Sequence, residues 1–146
     1  MPASSVSWVC VDAGVVVSLV TRGPEGSPYT AAWRRWHEGG LAPVAPSLLT
    51  YEVANALHRY VHHGMLLLEE ASDALEAVLG LGIELRGDAD LHRRAQVLAG
   101  ELGLAANHDA HYLALAESLG AEFWTADRRL CQAVAASRPW VRLLEG

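Results

Sequence analysis

The chain contains no lysine, and all 11 of its cationic side chains are arginine. That absence excludes chemistry built on a primary amine, such as Schiff-base catalysis, a P-loop phosphate grip or a phosphotransfer site completed by lysine. Cysteine is almost as scarce. Cys10 and Cys131 are too few and too far apart for a disulfide framework or a CxxC metal site, and two free thiols point to the reducing cytoplasm. Positive charge is in the minority: 11 cations face 17 acids, for a formal net charge of −6. A protein that coats nucleic acid non-specifically needs the opposite field. Long apolar runs are missing too. The stretch from Trp8 to Val20 is broken by Asp12, and no segment reaches the roughly 18–20 apolar residues that cross a bilayer. The first cation is Arg22, so the charged start of a signal peptide is lacking, and no membrane association is expected.

What is present is enough for one core. At 146 residues, 51% of them apolar, the chain has the size of a single domain spanning 1–146. Trp8–Val11 is an unbroken apolar run closed by Asp12-Ala-Gly14, which predicts a buried strand and a tight turn into a helix over Val15–Val20. Arg22 to Ser27 reads as a loop, with Ser27-Pro28 opening a helix that carries Trp33 and Trp36 and closes at Gly39-Gly40. Leu41–Ala45, with prolines at 43 and 46, predicts an exposed or edge strand. Ser47 is expected to cap a helix to about His63, and further helices are predicted over Glu69–Leu79, Ala89–Leu102 and, capped by Asn107, up to Leu119. Gly82–Arg86, Ala121–Thr125 and Val141–Leu143 read as strands, with Asp127 capping a last helix. Short apolar strands alternating with helices predict an α/β fold, a parallel sheet covered on both faces.

Four carboxylates occupy awkward places. Asp12 and Asp127 each follow the carboxyl end of an apolar strand, where open parallel sheets bind ligands. Glu52 falls on the helical stripe of Leu48, Leu49, Val53, Ala56, Leu57 and Tyr60, and Asp109 repeats the pattern beside Tyr112, Leu113 and Ala116. Local explanations exist for three: a cap for Asp127, the helix dipole for Asp109 and a turn for Asp12. Glu52 has none. Two such charges about 4 Å apart repel by roughly 4 kcal/mol at an effective dielectric of 20. A gathered set therefore protonates in part or takes a hard, oxygen-liganded cation such as Mg²⁺ or Mn²⁺. That arrangement suits phosphodiester cleavage, because the ion activates water and lets an acidic site accept an anionic substrate.

At these residues the chain resembles the PIN domains, specifically the VapC-type toxin ribonucleases of toxin–antitoxin pairs. The likeness runs through Val9-Cys-Val-Asp12-Ala-Gly, Ala45-Pro-Ser-Leu-Leu-Thr-Tyr-Glu52, His108-Asp109-Ala-His-Tyr-Leu-Ala-Leu-Ala-Glu117 and Phe123-Trp-Thr125-Ala-Asp127. It implies a three-layer α/β/α fold with a short, mostly parallel sheet flanked by helices, and a cytoplasmic Mg²⁺-dependent endoribonuclease, with Mn²⁺ as the other candidate ion. Asp12 and Asp109 would be the principal metal ligands, Glu52 and Asp127 would complete the pocket directly or through water, and Thr125 would support them. The implied partners are an RNA substrate, a VapB-like antitoxin and a second copy of the chain in a homodimer. His108 stands where the family commonly has tyrosine, which bears on substrate preference.

Arg128, Arg129 and, less strongly, Arg59 are candidates for gripping the RNA backbone, against the plainer reading of solvated helix faces. His58 and His62 have the i, i+4 spacing of zinc ligands but no third ligand nearby. His108 and His111 read as surface residues. Trp33 and Trp36 predict core packing or a groove for an antitoxin segment or a second subunit. One rival reading is a non-catalytic PIN-like binding module. Another is an aspartate enzyme of the receiver or dehalogenase type, which the missing lysine and the lack of a second aspartate beside Asp12 count against.

Overall fold

The computed structural model describes residues 6–22 and 27–146. The expected loop between Arg22 and Ser27 lies, at 23–26, outside the described residues. The sheet has five strands, β1 (Ser7–Val11), β2 (Leu41–Pro46), β3 (Glu84–Arg86), β4 (Glu122–Thr125) and β5 (Val141–Leu143), in the order β3-β2-β1-β4-β5. Every pairing is parallel. Seven helices flank it: α1 (Ala13–Thr21), α2 (Pro28–Glu38), α3 (Leu48–His62), α4 (Leu68–Leu79), α5 (Ala89–Leu102), α6 (His108–Leu119) and α7 (Arg128–Val134).

Sheets buried on both faces need continuous apolar strands, and β1 supplies Val9, Cys10 and Val11, all buried. One face is covered by α6, which rests on β1, β2 and β4, with α5 alongside it. Residues 110–116 of α6 are all buried, as befits a helix that is apolar nearly all round. On the other side α1, α3 and α4 pack on one another, with α2 against α1 and β2. The result is three layers. Within the α5–α6 layer, His92 meets His111 at one end, while Arg138 reaches both Glu101 and Glu117 at the other. Residues 103–107 join the two helices.

Four expectations are corrected. β2 is an interior strand, not an edge: it pairs with β1 on one side and β3 on the other, and Val44, Ala45 and Pro46 are buried. Pro43 is tolerated because β3 pairs only with 44–46, leaving it without a neighbour on that side, and Pro46 stands beyond the last residue that pairs with β1. Ser47 opens α3 without capping it through its side chain; its backbone is already helical and its Oγ faces Gly87, where an added Cβ would come within 2.5 Å. Asn107 likewise makes no side-chain cap, and instead its carbonyl accepts from His111 Nδ1 at 2.7 Å. That bond, with His92 Nδ1 at 2.8 Å from His111 Nε2, explains the fourth correction: His111 is buried, while His108 is exposed as expected. Ser27 does cap α2, accepting from Tyr29 N.

Candidate active site

Neighbouring parallel strands end on the same edge of a sheet. The register of Val11 with Trp124 therefore sets Asp12 beside Thr125 and the turn into α7. Asp12 N-caps α1, its Oδ1 accepting from Val15 N at 2.9 Å. Its Oδ2 accepts from Thr125 Oγ1 at 2.5 Å and Ala126 N at 3.3 Å. Thr125 is fully buried and also accepts from Asp127 N at 2.9 Å, so one hydroxyl fixes both aspartates. Asp127 in turn N-caps α7, its Oδ1 accepting from Leu130 N at 3.1 Å, and its Oδ2 accepts no hydrogen bond among the described residues. Gly14 permits the two turns to approach: an added Cβ would stand 3.1 Å from the Ala126 Cβ.

The other two acids arrive on helices. Glu52 is half-buried in α3, and its Oε1 accepts from the Tyr112 hydroxyl at 2.6 Å. Asp109 is half-buried in the first turn of α6 and accepts no hydrogen bond among the described residues. All four acids line one open cavity of about 320 Å³ with Ala13, Gly14, Tyr112 and Ala126. Among the described residues, no basic side chain lines it.

The electrostatics record that crowding. Burial pushes the Asp12 carboxyl up to about 6, against three hydrogen bonds that favour its ionised form, and the Glu52 charge adds to the rise. Asp109 is pushed up by burial, then by Asp127 and Glu52, with His108 acting the other way. Each of these carboxylates thus feels at least one acid that is remote in sequence. Among the described residues, however, no three His, Cys, Asp or Glu side chains stand close enough together to form a finished metal cage. The carboxylates surround a common space without closing on it, as uncompensated like charges do. An all-oxygen donor set with no counter-cation and with carboxylate oxygens to spare suits a hard divalent ion.

The sequence missed Tyr112, read only as part of an apolar stripe. It is 2% exposed, stacks on Phe123 and donates its hydroxyl into the cavity to Glu52. Its position one helical turn after Asp109 is the signal that was available. The arginines are not part of the cavity. Arg128 is paired with Glu145, and Arg129 and Arg59 are exposed. The rings of His58 and His62 lie 6.5 Å apart, nearly parallel, without a third ligand. Trp36 is buried between Trp33 and Trp124, and Trp33 lines a second, apolar cavity of about 530 Å³ with Leu19, Val20, Ala77 and Leu81. No helix among the described residues is long and apolar enough to cross a membrane.

The sequence model of the PIN domain family matches residues 9–135. Ribonuclease VapC3 of Pyrobaculum aerophilum is 38% identical over 90 residues, a stretch covering 58% of this chain and 66% of that protein, just under two thirds of its length. The crystal structure of PAE2754, also from Pyrobaculum aerophilum, superposes with a TM-score of 0.64 at 29% identity over 87% of this chain and 86% of the other. VapBC2 from Rickettsia felis, solved bound to a DNA fragment from their promoter, gives a TM-score of 0.67 at 14% identity over 92% and 96%, a likeness of fold.

Proposed function

We propose, from the premise that this chain belongs to the PIN-domain family, that it is a metal-dependent endoribonuclease and the toxin of a VapBC-type toxin–antitoxin pair. One observation carries the reading: four carboxylates from the ends of β1 and β4 and from α3 and α6 face one cavity with no basic side chain among its lining residues. Asp12 and Asp109 are the assigned metal ligands, with Glu52 and Asp127 contributing directly or through water. Mg²⁺ is the expected ion and Mn²⁺ its substitute. Bound there, the ion supplies charge neutralisation, activation of water and polarisation of the phosphoryl group.

The chain's own residues do the positioning. Thr125 and the Val15 and Ala126 amides hold Asp12 rigid, so little reorganisation is left when an ion arrives. Tyr112 occupies one oxygen of Glu52 and leaves the other for the cavity. The Leu130 amide does the same for Asp127. A VapB-like antitoxin belongs to this proposal. The apolar cavity between α1, α2 and α4, with Trp33 on its wall, is shaped for an amphipathic segment of it. A homodimer is expected as well.

The purified protein should cut RNA with Mg²⁺ or Mn²⁺ and stop in EDTA, and the Asp12→Asn variant should be inactive while still folded. Cutting that survives both treatments would overturn the reading. The open geometry of the acids favours one alternative, a non-catalytic PIN-like binding module. A calorimetric Mn²⁺ titration without heat of binding would select that alternative.

A further inference from the structure

Tyr51 is 80% exposed, the most exposed large apolar side chain among the described residues, and it directly precedes Glu52 of the acidic cavity. At about 100° per residue, Tyr51, Asn55, His58 and His62 fall within an arc of roughly 60° on α3. All four are exposed, and Arg59 is exposed on the flank of that arc nearest Glu52. The ridge is about 16 Å long from Tyr51 to His62. It carries no acid, in a chain of net charge −6. The next helix, α4, shows the contrast, with Glu69, Glu70, Asp73 and Glu76 and no base. The rings of His58 and His62 lie nearly parallel along it, 6.5 Å apart.

Resting on the nuclease reading of the adjoining cavity, we infer that this ridge of α3 is the track for single-stranded RNA leading to the cut. An acidic protein cannot hold RNA by diffuse charge, so recognition has to be local. Tyr51 offers a face on which an unpaired base stacks, as protein aromatics do for single strands. Asn55, His58 and His62 offer hydrogen bonds to base edges and phosphates, and Arg59, two turns along α3 from Glu52, a phosphate contact. A duplex cannot use Tyr51 in this way, because its bases already stack on one another. The occupant is therefore a loop or single strand.

The test measures binding of a fluorescent single-stranded RNA oligonucleotide to the full chain in EDTA by anisotropy, with the same sequence as a duplex for comparison. Tyr51→Ala should weaken single-strand binding about ten-fold, the scale of one lost base–aromatic stack. Tyr51→Phe should keep most of it, and a His58→Ala/His62→Ala double variant should weaken it several-fold. With Mg²⁺, Tyr51→Ala should raise KM more than it lowers kcat. Unchanged affinity in Tyr51→Ala, a preference for duplex, or no RNA binding by the wild type would each overturn the track. So would a Tyr51→Ala variant that turns a dimer into a monomer by sedimentation with RNA affinity intact, which would give this face to a second copy of the chain. Failure here with wild-type cleavage preserved sinks the track alone. Loss of affinity in Tyr51→Ala, beside a wild type that binds RNA but cuts nothing, sinks the nuclease reading and keeps the track.

Discussion

The chain has two contrasting hollows. The one beside Trp33 is the larger, about 530 Å³, and its walls are mainly apolar; the one at the carboxyl edge of the sheet is about 320 Å³ and carries four acids. Size does not mark the chemistry. The walls of the apolar hollow, chiefly Leu19, Val20, Trp33, Ala77 and Leu81, crowd no like charges together. In the acidic one, the charges are left without compensation. Asp12 is half-buried, Asp109 accepts no hydrogen bond among the described residues, and both are pushed towards protonation, first by burial and then by nearby carboxylates. A site that is electrostatically unsatisfied is one that a cation and an anionic substrate together can complete.

The contrast predicts opposite responses to mutation. Beside the apolar hollow, Trp36→Ala removes a buried ring from between Trp33 and Trp124 and should cost about 3–5 kcal/mol in denaturant unfolding. A cost near zero would mean that this wall is not core. At the acidic edge, Asp12→Asn should reduce RNA cleavage by at least about 10²-fold, the scale of removing one preorganised charged contact. The comparison fails if the purified variant cuts at the wild-type rate. Tyr112→Phe, which keeps the stack on Phe123 and loses only the bond to Glu52, should weaken Mn²⁺ binding by about 10–100-fold in calorimetry. In an Glu52→Gln background the same change should do almost nothing. An equal effect in both backgrounds would make Tyr112 a packing residue.

The pH response follows from the sign of the Asp12 shift. Its folded value of about 6 lies above the ordinary 3.8, so between those values the folded state holds a proton that the unfolded chain has released. The contribution of this group therefore favours folding at low pH and is lost as pH rises through about 6. Mn²⁺ competes with that proton, so it should raise Tm more at pH 7.5 than at pH 5. Equal shifts at both would show that the ion binds elsewhere. The smallest expected effect is also the most diagnostic. Asp109→Asn removes a repelled charge that accepts no hydrogen bond among the described residues, and without metal it should raise stability by about 0.5–1 kcal/mol while abolishing cleavage. A loss of stability would mean that Asp109 is a structural residue.

Much of this was legible in the residues. Asp12 and Asp127 were marked by the apolar strands they terminate, and Glu52 by standing on an apolar stripe that no cap or dipole explains. The boundaries of α5 and the closing glycine of α6, Gly120, followed from local preferences alone. Reading failed where the answer lay in a neighbour. The prolines of β2 suggested an edge because nothing in 41–46 says that β3 stops short beside Pro43. His111 looked like a surface residue because its two bonding partners lie in a loop carbonyl and in α5. Tyr112 looked like core because its hydroxyl's partner is sixty residues away.

The amino-acid order alone determined the elements, the four acids and the rejection of lysine-based chemistry, since periodicity, capping and composition act over a few residues. Only the tertiary structure decided that β1 and β4 lie side by side, that α3 and α6 bring Glu52 and Asp109 to the same edge, and that no base comes with them. Strand order is chosen by which apolar faces are buried together across the whole chain, and the mutual repulsion that makes the acids useful exists only once that choice has placed them around one cavity.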